Sequence, residues 1–122
     1  ETAFVCVSDG SLSVVSPLTG ELAVVTERSY GAAANPRKRY VMRTLLERPE
    51  TRNLQGLRDI LSESRPGSID SVCVDLGDID YGTRSSTLIS YGGEPPTFLH
   101  AEGPPSSTDY DDLSDLAVDL FG

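Results

Sequence analysis

The sequence has no tryptophan, only three phenylalanines, one methionine and one histidine. A chain so poor in large aromatics builds its core mainly from Val, Leu and Ile, and the core is thin. The single imidazole, His100, has no second histidine or ring of cysteines around it, and a zinc site needs about four such ligands. Lysine is nearly absent as well. Lys38 stands alone among nine arginines, and nineteen acidic residues against ten basic ones leave a net charge of −9. That charge repels nucleic acid and anionic membrane surfaces, so neither is expected as a partner. No apolar run approaches the roughly 20 residues that cross a bilayer, and no signal peptide is visible. With only Cys6 and Cys73, each in a Val-Cys-Val context, the thiols read as small buried hydrophobes of a cytoplasmic protein. A bridge between them needs their strands to be neighbours. The first residue is Glu1 rather than Met, from which we expect a longer parent chain.

What is present reads as an α+β fold: antiparallel meanders plus two helices. An α+β body is expected over residues 1–105, with an acidic C-terminal tail over 106–122. The apolar run 3–7 reads as a strand, Asp9 and Gly10 as its tight turn, and 12–15 and 22–26 as two further strands of one meander. Residues 30–35 are a small-residue linker. Asn35 followed by Pro36 suits a helix start, since Asn caps and Pro is tolerated at the first helical position, and a helix is expected over 37–47. Asn53 caps a second helix, whose Leu54, Leu57, Ile60 and Leu61 recur at three- and four-residue intervals, with Pro66 and Gly67 ending it. Strands are expected over 69–76, 83–91 and 97–102, with a turn at 92–96. The tail holds five aspartates interleaved with Leu113, Leu116, Val118, Leu120 and Phe121, a pattern open to either a docked amphipathic helix or a disordered acidic end.

Chemistry is sparse. Asp75, Asp78 and Asp80 share one loop, but the calcium-loop pattern lacks its closing Glu, so no metal or cofactor is expected. Serines and threonines cluster over 83–87, and an independent enzyme would need a cleft in which His100 meets a serine or a carboxylate. Arg84 is the residue of most interest, because a guanidinium within a strand segment must find an anion, a carbonyl cluster or solvent. An ion pair with a nearby aspartate and a clamp on a substrate carboxylate are both compatible with its position.

The segment SVCVDLGDIDYGTRSSTL over residues 71–88, followed by FLHAEGPPSS, resembles the C-terminal end of the NRDE family, the transport and Golgi organisation 2-like proteins. YGTRSST is its most specific part. The resemblance implies half of a four-layer αββα sandwich of the N-terminal-nucleophile hydrolase type. Such a half supplies sheet and cleft wall to a ligand-binding or amide-hydrolase-like site. The family's N-terminal Cys and its Asn-Arg-Asp-Glu tetrapeptide are not in this chain, so the nucleophile is expected outside it, on a missing N-terminal half or a partner chain, and no catalytic residue is carried over. Glu27 stands where related hydrolases place an Asn that donates to an oxyanion. The residues expected to contact a small-molecule ligand or brace the cleft are Tyr81, Thr83, Arg84, Ser85 and Ser86. The alternative is a stand-alone acidic protein-interaction module, using the tail or a free sheet edge.

Overall fold

The computed structural model describes residues 2–25, 35–92 and 95–121, and its fold is of the α+β class with antiparallel strands throughout. It divides into two compact units, Glu1–Arg43 and Thr44–Gly122. The division falls inside helix α1 (Pro36–Glu47).

In the first unit, β1 (Phe4–Ser8) and β2 (Ser13–Pro17) form a hairpin in which Cys6 faces Val15 across the ladder. Its turn is built by Asp9. One carboxylate oxygen, Oδ1, accepts from the Ser11 amide, the Ser11 hydroxyl and the Leu12 amide, each at 2.9 Å, while Gly10 takes φ +95°. Charge-assisted donors of this kind favour the ionised acid, and they hold the Asp9 carboxyl at about 2, below its usual 3.8. Two of the sequence readings need correction here. Residues 22–25 do not extend the meander as a third strand. Cys6 is exposed rather than buried, since among the described residues of this unit no third strand covers the hairpin, and both thiols are free. The linker over 30–34 and Glu27 lie outside the described residues. The first turn of α1 is capped as the sequence suggests: Asn35 Oδ1 accepts from the amides of Arg37 (2.9 Å) and Lys38 (3.3 Å).

The second unit holds the core. Helix α2 (Leu54–Leu61) starts at Asn53, whose side-chain oxygen accepts from the Gly56 amide at 2.9 Å. It buries Ile60, and the last turn of α1 buries Leu45. Strands β5 (Ser86–Ser90), β6 (Thr97–Ala101) and β7 (Asp111–Asp112) form an antiparallel sheet in that order. Period-two alternation sends Leu88, Leu99 and Ala101 inward and leaves Thr87 and Ile89 outside. Helix α2 contacts β5, and α3 (Ser114–Phe121) packs on β6 through Ala117, which is 1% exposed. The segment from residue 106 therefore enters this unit twice, through β7 and through a docked α3. The structure thus settles the open choice for the tail in favour of a helix. Ser114 starts α3, and its amide and hydroxyl both bond to Asp112 Oδ1, which lowers the Asp112 pKa from its ordinary value.

The strand expected over 69–76 shrinks to β3 (Asp75–Leu76). Side chains claim the backbone ahead of it. Ser71, fully buried, accepts from the Arg65 amide at 2.8 Å and donates to the Arg65 carbonyl at 3.2 Å; Glu63 accepts from the Val72 amide at 3.0 Å, and its carbonyl takes the Cys73 amide at 2.8 Å. Local bonds of this type compete with a sheet ladder and win here. The strand expected over 83–91 shortens to β5, and a two-residue strand ahead of it, β4 (Tyr81–Gly82), pairs with β3.

A candidate ligand cleft at the β3–β4 hairpin

The β3–β4 hairpin turns through a short 3-10 segment, Gly77–Ile79, and closes at Asp80, whose φ of 46° is left-handed. Asp tolerates that conformation better than most residues because its short polar side chain bonds locally. Beyond the turn the backbone runs close to itself. A Cβ on Gly82 would lie 2.6 Å from the Val74 carbonyl oxygen, so only glycine fits the observed backbone. Thr83 then locks the strand end: its amide donates to the Val74 carbonyl at 2.8 Å, and its hydroxyl accepts from the Val74 amide at 2.9 Å. Buried Val74 and Cys73 anchor this pair to the core, with the Cys73 thiol 3.3 Å from the Ser106 hydroxyl.

Next to the hairpin lies a cleft of about 540 Å³, lined by Val74, Asp75, Gly77, Asp80 and residues 81–84, and closed by Glu102, Gly103 and Pro104 from the segment after β6. Three of the five residues expected at a site, Tyr81, Thr83 and Arg84, meet there. Thr83 is committed to the backbone, Tyr81 is exposed, and Arg84 is exposed with no hydrogen bond or ion pair to the described residues. The structure realises no aspartate pair for Arg84. Ser85 and Ser86 are not part of the lining; Ser86 instead shares a 2.7 Å hydrogen bond with the Tyr110 hydroxyl, and the Tyr110 ring carries the Arg58 guanidinium 4.9 Å from its centroid. Asp78 lines a neighbouring concavity with Pro66 and Ile79, and no group of three or more His, Cys, Asp or Glu among the described residues is arranged to hold a metal ion.

Two features escaped the sequence reading. Glu102 joins Asp75 and Asp80 as a third carboxylate on the cleft, brought there by the exit of β6. His100 is not an isolated strand residue: its Nδ1 lies 2.9 Å from Thr87 Oγ1 and its Nε2 lies 3.0 Å from Glu102 Oε2. The first contact follows from register, since Thr87 and His100 are direct partners across β5 and β6. The only sequence signal was alternation in two strands whose pairing had yet to be fixed. Among the described residues, no helix is long and apolar enough to cross a membrane. Comparison with known family models, curated proteins and solved structures finds no match for this chain.

Proposed function

We propose that the Thr44–Gly122 unit carries a ligand-binding cleft in which Arg84 holds the carboxylate of a small amide-bearing molecule. In this reading the cleft is one wall of an NRDE-like, amide-hydrolase-type site of a larger αββα sandwich, with the nucleophile supplied by a segment or chain outside residues 1–122, in a cytoplasmic setting. The observation that carries it is a guanidinium facing a cleft without an ion-pair partner among the described residues. Its planar fork donates two parallel hydrogen bonds to a carboxylate. Asp75, Asp80 and Glu102 line the same space, so the cleft disfavours multiply charged anions and favours a ligand with one carboxylate and nearby donors. Titration calorimetry with N-acetylated amino acids tests this. Arg84→Ala is expected to weaken binding about tenfold, equivalent to about 1.4 kcal/mol, and Arg84→Lys to recover only part of that loss. Equal affinity in all three proteins would remove Arg84 from the site.

A second reading, an acidic interaction module, is favoured by the hairpin of the first unit. Phe4, Val14 and Val15 are each more than half exposed, and among the described residues neither edge of this two-stranded ribbon is paired. Sedimentation of the 122-residue chain distinguishes it: self-association abolished by Phe4→Asp with Val15→Asp supports this reading, and a monomer at all concentrations counts against it.

A further inference from the structure

We infer that Thr87, His100 and Glu102 form a hydroxyl, imidazole and carboxylate relay in which Thr87 is an acyl-accepting nucleophile, on the outer face of the β5–β6 pair. A carboxylate only accepts hydrogen bonds, so the 3.0 Å contact with Glu102 places the imidazole proton on Nε2. In the neutral ring Nδ1 is then a bare lone pair, and the 2.9 Å contact with Thr87 is a hydroxyl donating to a base. This is the connectivity that activates a weak hydroxyl nucleophile: base within hydrogen-bond reach, and the base oriented by a third group. Thr87 is exposed, so an acyl donor reaches it. His100 is the base and Glu102 the positioning residue.

The step balances without a further reagent. As Thr87 Oγ attacks the carbonyl carbon of an aryl ester, its proton moves to His100 Nδ1. The new bond is between Oγ and the acyl carbon, the bond that breaks is between the acyl carbon and the aryl oxygen, and the phenolate departs with the electron pair. Once the Nδ1 proton has been released to solvent, water attacks the threonyl ester, its proton passing to Nδ1 and from there to Thr87 Oγ as the carboxylic acid departs and the hydroxyl is restored. Activated esters and thioesters are the fitting class, because their leaving groups depart without a general acid.

The test uses the 122-residue chain and 4-nitrophenyl acetate, with nitrophenolate release followed optically and the acetyl group located by peptide mass spectrometry. Lys38 is the only lysine, which leaves the N-terminal amine as its sole amine competitor. The expected result is an acetyl ester on the Thr87 peptide, lost at least tenfold in Thr87→Val and in His100→Gln and retained in Thr87→Ser. Acetyl groups on amines only, or Thr87→Val reacting as fast as the parent protein, would overturn the inference. An independent reading needs no nucleophile variant. His100 is the sole histidine, so its ring nitrogens are unambiguous in 15N NMR, and the Nε2-protonated tautomer is expected. Glu102→Ala is expected to give a tautomer mixture and acylation about tenfold slower. A dominant Nδ1-protonated ring in the parent protein contradicts the relay.

Discussion

Gly82→Ala is the most informative single change, because it loads one methyl group onto the backbone pair that shapes the cleft. The added Cβ would sit 2.6 Å from the Val74 carbonyl oxygen, and ordinary contact begins near 3.4 Å. Separation by about 0.8 Å is therefore required, and neither side of the contact is a flexible side-chain end. The Val74 carbonyl accepts from the Thr83 amide at 2.8 Å, and a displacement of that size takes the pair out of hydrogen-bond geometry. The loss of one such bond costs about 1 kcal/mol, and leaving the groups part-buried without partners brings the total to roughly 1–3 kcal/mol. For a unit of this size that corresponds to a fall in Tm of roughly 4–8 °C per kcal/mol. Urea and thermal unfolding followed by circular dichroism measure the change, and hydrogen exchange at the Thr83 amide localises it. An unchanged midpoint together with unchanged protection at Thr83 would refute the reasoning, since the methyl would then have found room without moving the carbonyl.

Asn53→Ala removes the oxygen that caps α2 and is expected to destabilise the second unit by about 1 kcal/mol in urea unfolding, whereas Asn53→Asp should be nearly neutral. Asp9 has a folded-state pKa of about 2, below its usual 3.8, so the stabilisation from its ionised form is fully present above the usual value and is lost as pH falls through about 2. Carboxyl NMR titration should show this midpoint, and Asp9→Asn should remove the pH dependence of the hairpin signals over that window.

The two helix starts were legible because each depends on a few adjacent residues: Asn35 before Pro36, and Asn53 before the stripe of Leu54, Leu57 and Ile60. The 97–102 strand was legible for the same reason, with Leu99 and Ala101 alternating inward. The 69–76 segment misled because its apolar content suits a strand, while Ser71 and Glu63 bind backbone groups that a ladder would need, a contest decided by tertiary position. The candidate site divides in the same way. Tyr81, Thr83 and Arg84 sit within one hairpin and could be grouped from the chain alone. Glu102 reaches the cleft only because β6 folds back beside β5, and Thr87 meets His100 only through their register. Ser85 and Ser86 belonged to the motif by sequence, yet Ser86 turns to Tyr110, a partner 24 residues away.

The central claim is that the β3–β4 cleft binds a carboxylate ligand through Arg84, and a 15N NMR titration with N-acetylglycine tests it most directly. Shifts concentrated at the amides of Gly82, Thr83 and Gly103 and at Arg84 Nε, all absent in Arg84→Ala, are the expected result. Shifts spread over the surface, or an unchanged pattern in the variant, would contradict it.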